Sequence, residues 1–298
     1  MVKMQIKKNN EKVSHTAGYT CFTRACATRE NNGQNYGPDY LAEIFLPAFA
    51  KLILNTALFR KVFIRKIAPS GAYEYIIART QLFDEIFLDA LENDVRQIVI
   101  FGAGMDTRAL RFKDKNQGIK VIELDIEKTQ RTKLQILKRK KVALPEELIF
   151  APIDFNNQSL REVLQNIGYK NNLKTLFLLE GVTMYLRADA VDKILAFIRK
   201  NSQKGSKIAF DYIYASVLNR ENKFYGEREI FDTISKTGER WAFGIEEGDI
   251  EKFLLNRGFK LISHYSPPEI EEKYLKADNQ GSIGRINGTH CIVQAAVN

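Results

Sequence analysis

From Gln97 onward, short runs rich in β-branched and aromatic residues alternate with longer helical patterns. No other feature restricts the chain as much. Such alternation marks a parallel sheet whose strands are joined by crossover helices. Seven strands are expected, at residues 97–101, 120–125, 148–154, 175–180, 207–214, 260–266 and 290–297. Helices are expected at residues 126–141 and 187–201. In the second, Val191, Ile194, Leu195 and Ile198 fall at i, i+3, i+4 and i+7 and make one apolar face. Arg257-Gly258 reads as the close of a helix ending at Leu255. The last two strands are expected to pair directly, with only a polar loop between them.

Before residue 97 there is no strand alternation, only polar sequence to Tyr36 and then helical patterns through Asn93. The expected organisation is an N-terminal helical extension or lid over residues 1–74 and a ligand-binding domain over 75–298. The turn-prone residues 31–38 mark a boundary within the extension. Residues 41–59 form the most apolar window. Glu43, Pro47 and Lys51 interrupt it and Arg60-Lys61 follow it, so a buried or lid-forming helix is expected there rather than a membrane span.

A hydrophobic content of 45% over 298 residues excludes disorder as the main state. The 45 Lys+Arg exceed the 36 Asp+Glu, but the cations are interleaved with acids, as in KRKKVALPEE, which argues against a nucleic-acid face. Cys21, Cys26 and Cys291 are odd in number and scattered, so neither a disulfide framework nor a thiolate zinc site is indicated. The basic start lacks the apolar core of a signal peptide, and a cytoplasmic chain is expected.

The chemistry concentrates where strand QIVIF runs into Gly102-Ala103-Gly104 and a helix start. Glycines there allow a tight turn and a close ligand approach beside helix N–H groups. The next strand ends VIELD, placing Glu123 and Asp125 about twenty residues on, where an acid can accept hydrogen bonds from ribose hydroxyls. Together these imply a nucleoside-bearing cofactor. Thr107 stands where the dinucleotide fingerprint has its third glycine, which disfavours a pyrophosphate. Asp154-Phe155 at the end of the third strand offers a carboxylate and a ring suited to adenine, or Asp154 caps the following helix. Glu180-Gly181 ends the fourth strand at the ligand-binding edge, with Glu180 either a cofactor contact or a charge without a ligand.

In EYIIARTQLFDEIFLDAL, Arg79 lies on the apolar stripe of Ile76, Phe83, Ile86, Phe87 and Ala90. An inward guanidinium needs an anion. The partner is a protein carboxylate such as Asp106, or the amino-acid carboxylate of S-adenosylmethionine; alternatively the side chain snorkels to solvent.

The series ARTQLFDEI, IVIFGAGMDTR, IELD, an Asp-aromatic pair and LLEGVTMYL resembles the leucine carboxyl methyltransferase family and its microbial S-adenosylmethionine-dependent relatives, over most of residues 75–200. The resemblance implies an α/β fold with a Rossmann-like class I methyltransferase sheet of seven strands, the last antiparallel, and an N-terminal helical cover. It also implies S-adenosyl-L-methionine as cofactor. Arg79 would then meet the methionyl carboxylate, Gly102 and Gly104 would line the cofactor, Asp125 would hold the ribose, and Asp154 and Phe155 would touch the adenine end, with Glu180 matching the family's acid after the fourth strand. The chain departs from the family at Asp154-Phe155-Asn156, where members usually carry Asp-Leu. Its N-terminal segment resembles the microbial branch more than the protein-carboxyl branch.

The expected activity is O-methylation of a carboxylate or hydroxyl on a small molecule or peptide end, with no metal and no membrane span. An ionised carboxylate acceptor needs no general base, which fits a chain whose only histidines are His15, His264 and His290. A phenol would call for a base such as His15 or a carboxylate. Tyr185 is the candidate for touching the acceptor, with plain packing as its other reading. The competing functions are a nicotinamide-dependent oxidoreductase, a cofactor-binding protein without catalysis, and an RNA-binding methyltransferase.

Overall fold

The computed structural model describes residues 15–29, 37, 39–155, 157–277, 281–282 and 284–298. Its main sheet has seven strands: β1 (Gln97–Phe101), β2 (Lys120–Asp125), β3 (Leu148–Pro152), β4 (Thr175–Leu179), β5 (Lys207–Ile213), β6 (Phe259–Tyr265) and β9 (His290–Val297). Two-residue strands β7 (Lys276–Ala277) and β8 (Gly281–Ser282) pair separately. The sheet order is β3-β2-β1-β4-β5-β9-β6. Strands β1 to β5 are parallel, and β9 runs antiparallel to both β5 and β6. This is the expected Rossmann-like class I methyltransferase sheet.

Helices cover both faces, as a parallel sheet requires. All five residues of β1 and of β4 are buried. Alternation sorts β1 between two cores. Ile98 and Ile100 join the core that holds Phe83 and Phe87, whereas Val99 and Phe101 join the one that holds Ile194, Leu195 and Ile198. Because β1 lies between β2 and β4, the chain reverses its winding beside β1, which is where open α/β sheets form a crevice at the strands' carboxyl ends.

In chain order the helices of at least six residues are α1 (His15–Arg29), α2 (Ala48–Asn55), α3 (Ala57–Val62), α4 (Ala72–Glu92), α5 (Glu127–Arg139), α6 (Leu160–Asn166), α7 (Ala188–Lys200), α8 (Glu227–Thr237), α9 (Ile250–Leu255) and α10 (Pro267–Tyr274). The polar stretch before Tyr36 contains α1, whose small and polar residues Cys21, Thr23, Ala25, Cys26 and Ala27 are buried without a strong apolar stripe. Two expectations need correcting. Strands β6 and β9 do pair, but α10 stands between them in sequence. It opens with a capping box in which Ser266 and Glu269 exchange bonds around Pro267-Pro268, a start signal readable in the sequence. Residues 41–59 hold no single buried helix. Short helices α2 and α3 lead into a π-helical turn, Phe63–Ile67, and much of the segment's apolar surface is exposed. The expected boundary at 31–38 falls, apart from Gly37, outside the described residues, as does Asn156.

Candidate active site

The crevice at the carboxyl edge is a cavity of about 830 Å³, within the size range of small-molecule and cofactor sites. Its floor is the Gly102–Asp106 loop, Asp125 and Glu180–Val182. Thr16, Ala17, Thr20 and Arg24 of α1 cover it from one side, and Gly238, Glu239 and Arg240 after α8 cover it from the other. The Thr16 hydroxyl donates to the Glu239 carboxylate and joins the two halves of this roof.

The glycine loop is built for close approach. Gly102 and Gly104 both have left-handed φ, +57° and +52°. A Cβ on Gly102 would stand 2.7 Å from Val182 Cγ2, so the turn admits no side chain there. At the end of β2, Asp125 Oδ2 accepts from the Gly104 N–H at 2.6 Å, and Oδ1 accepts from the Ile126 N–H at 2.6 Å. Each oxygen keeps a second lone pair for a ligand hydroxyl. Burial raises the Asp125 pKa, and the two N–H groups act against that rise. Glu123, the other acid of VIELD, is turned away. It is fully buried and pairs with Lys133 Nζ at 2.5 Å.

Arg79, on α4, reaches the cavity and is also ion-paired. Its Nε donates to Glu180 Oε1 at 3.0 Å and one terminal nitrogen donates to Asp211 Oδ2 at 2.9 Å. Asp211 Oδ1 accepts the Gly181 N–H at 2.6 Å, and the Tyr75 hydroxyl donates to Oδ2. Its protein partners are thus Glu180 and Asp211. Glu180 Oε2 also meets Arg108 at 2.7 Å. Arg108 in turn holds Asp84 and Asp106, Arg111 holds Asp84, and Arg24 pairs with Asp39. This buried network lies under the glycine loop. Burial alone would raise the Glu180 pKa, but Arg108 and Arg79 hold it below its usual value; Asp106, beside Arg108 and Lys133, is likewise held at about 2. Glu180 and Asp106 are therefore ionised at neutral pH. The GAGMDTR motif serves this network, since Asp106 and Arg108 are both members.

Phe155 lines the cavity and stacks on Phe101, with centroids 5.7 Å apart. Asp154 is not among the lining residues. Its Oδ2 accepts from Asn157 at 2.7 Å and its carbonyl accepts from the Asn157 and Gln158 N–H groups, so it organises the turn that presents Phe155. Tyr185 lines the roof side, where burial pushes its hydroxyl up to about 12. It stays protonated at neutral pH and can donate.

The structure adds three residues to those named from the sequence. Asp211 is hidden in a buried strand. Arg24 lies on a helix the sequence does not announce, and its Nε is buried without a partner. His290, which sequence reasoning treats as a strand residue, lines the cavity with its ring 4.6 Å from that of Tyr75. Hydrogen bonds assign its tautomer. Asn287 Nδ2 donates to Ser70 O, so Asn287 Oδ1 accepts the Thr289 hydroxyl proton at 2.5 Å. The same hydroxyl must then accept from His290 Nδ1–H at 2.7 Å, leaving the lone pair on Nε2. Burial and the nearby Arg79 cation lower the His290 pKa to about 3. No group of three or more metal-ligating side chains occurs among the described residues.

A family model for leucine carboxyl methyltransferase matches residues 17–199. Among relatives, the Bacillus subtilis (strain 168) protein named "Putative S-adenosyl-L-methionine-dependent methyltransferase YktD" is 26% identical over 218 residues, 72% of this chain and 71% of that protein. A similarly named Mycobacterium tuberculosis protein (strain H37Rv) is 34% identical over 212 residues, 67% of this chain and 66% of that protein. Among solved structures, magnesium protoporphyrin IX methyltransferase from Synechocystis with bound SAH is 12% identical. That match covers 81% of this chain and 99% of the other, with a TM-score of 0.46.

Proposed function

The chain belongs to the leucine carboxyl methyltransferase family, and from that premise we propose that it is an S-adenosyl-L-methionine-dependent O-methyltransferase acting on a carboxylate or hydroxyl of a small molecule or peptide end. The observation that carries this reading is the Asp125 carboxylate set against Gly104 N–H at the carboxyl edge of the sheet, with Phe155 and Arg79 in the same cavity. These groups suit, in turn, a ribose, a purine face and an amino-acid carboxylate. The third glycine of a dinucleotide loop is replaced by Thr107, which is fully buried and donates to Asp39 at 2.7 Å. One nucleoside fits this loop better than a pyrophosphate.

S-adenosyl-L-methionine, when bound, supplies a methyl group on a sulfonium. Transfer of that methyl to an ionised carboxylate would make a C–O bond for the C–S bond lost, giving an ester and a thioether with no proton for the protein to remove. What the protein contributes is alignment, which supplies up to about 7–11 kcal/mol in ideal cases. Asp125, Gly102 and Gly104 would hold the nucleoside, with Asp154 supporting the turn under the adenine. Arg79, kept in place by Glu180 and Asp211, would orient the methionyl carboxylate. Tyr185 is the proposed donor toward the acceptor. His290 offers Nε2 as an acceptor for a substrate hydroxyl, but its low basicity suits it to orienting that proton rather than removing it. An already ionised carboxylate needs no such removal.

The test has two stages. S-adenosyl-L-methionine at about 100 times its Kd should stabilise the protein by roughly 2.7 kcal/mol, and NAD should not. Labelled methyl transfer into acids, phenols and peptides then identifies the acceptor, with base lability separating esters from ethers. Tight NAD binding with none by S-adenosyl-L-methionine would refute the proposal.

A further inference from the structure

Residues 44–73 contain no aspartate or glutamate, although the chain carries 36 acids in all. The same thirty residues hold Lys51, Arg60, Lys61, Arg65 and Lys66. They also carry six of the eleven exposed large hydrophobics among the described residues: Phe49, Leu52, Leu58, Phe59, Val62 and Ile67, the first three between 66% and 70% exposed. Helical spacing gathers them. Phe49 and Leu52 lie at i and i+3 on α2, opposite buried Ala50 and Leu54, and Leu58 and Val62 lie at i and i+4 on α3. An exposed apolar patch of this kind marks an interaction surface. The patch is anchored from beneath, because buried Phe63 packs against Tyr19 and Phe22 of α1 with ring centroids 5.7 and 4.7 Å apart.

We propose that residues 48–67 dock the protein on an anionic lipid surface, with the apolar side chains entering the interface and the exposed cations Lys61, Arg65 and Lys66 meeting lipid phosphates. Charge decides among possible occupants. A second copy seated face to face would oppose five cations to five, with no acid from either segment to pair them. A bilayer bearing anionic headgroups complements both halves of the pattern, apolar below and negative above. No helix among the described residues is long and apolar enough to cross a membrane, so the contact would be interfacial. Because α1 lies between this segment and the cavity, docking would place the roof of the cavity toward the membrane.

Flotation of the full chain with vesicles tests this. Vesicles of phosphatidylcholine mixed with phosphatidylglycerol should carry the protein, vesicles of phosphatidylcholine alone should not, and binding should weaken with added salt. Lys61→Gln with Lys66→Gln should lower the partition coefficient about five-fold per cation removed, and Leu52→Ser with Leu58→Ser should lower it too. All four positions are exposed, so melting temperatures should hold. Lys138→Gln with Lys140→Gln, the same charge loss at the exposed end of α5, should leave binding nearly unchanged. Equal binding to neutral vesicles, no binding to anionic ones, or an equal loss in the α5 control would overturn the proposal. So would a dimer in sedimentation that the Leu52/Leu58 variant dissolves. None of these readouts depends on methyl transfer, so they stand apart from the function proposed above.

Discussion

The carboxylate of Asp125 accepts the Gly104 N–H at 2.6 Å, so the acid that ends β2 is tied to the loop that leaves β1. One hydrogen bond thereby joins the two elements that would grip a nucleoside, and the remaining lone pairs of the carboxylate are aimed before any ligand arrives.

Asp125→Ala should therefore weaken S-adenosyl-L-methionine and adenosine alike, since both carry the ribose. Charge-assisted bonds are worth about 1.5–3 kcal/mol, a loss of roughly 10- to 150-fold. Calorimetry on both ligands checks it, and undiminished affinities would remove Asp125 from the ribose site. Glu123 could not take over, because it is buried against Lys133.

Arg79→Lys should separate the same two ligands. Lysine keeps the charge but loses the fork that spans two acceptors, so affinity for S-adenosyl-L-methionine should fall by at least about ten-fold while that for adenosine, which lacks the carboxylate, stays nearly constant. A parallel collapse of both affinities would make Arg79 only the structural partner of Glu180 and Asp211.

Arg108→Gln is expected to act on the fold. It leaves Asp84, Asp106 and Glu180 buried without their shared cation, and breaking a buried pair costs about 3–5 kcal/mol. Denaturant unfolding at pH 7 should show that loss. A change below about 1 kcal/mol would mean that Arg79 and Arg111 absorb the charge, against the view that Arg108 is the hub of the network.

His290 should make stability depend on acid. Its pKa in the folded protein, about 3, lies below its ordinary 6.5, so between these values the unfolded chain binds more protons. The contribution is fully present above about pH 6.5 and is lost as pH falls toward 3, by up to about 1.4 kcal/mol per pH unit. His290→Asn should flatten unfolding free energy against pH between 6.5 and 4.5. Glu123, raised to about 7 by burial, slopes the other way, but it is common to both proteins and cancels in the difference. Identical slopes in both would show that His290 titrates normally.

Much of this protein is determined locally and so can be read from the chain. Strands such as Gln97–Phe101 are short β-branched runs bounded by turn signals and suited to burial on both faces, and the turn at Gly102-Ala103-Gly104 depends on backbone freedom that only glycine has. The place of Arg79 on the apolar stripe of its helix and of Asp125 at a strand end follow from spacing alone, whereas only the structure shows that the Arg79 side chain stays buried. Tertiary structure decided the partners. Arg79 meets Glu180 and Asp211, 101 and 132 residues away, and no periodicity encodes which of several buried acids a guanidinium will reach. It also decided that β9 enters between β5 and β6, that α1 covers the cavity, and that His290 opens onto it. Each of these is a contact between segments far apart in sequence, chosen by how the whole chain packs its faces and pairs its buried charges rather than by what any single stretch prefers.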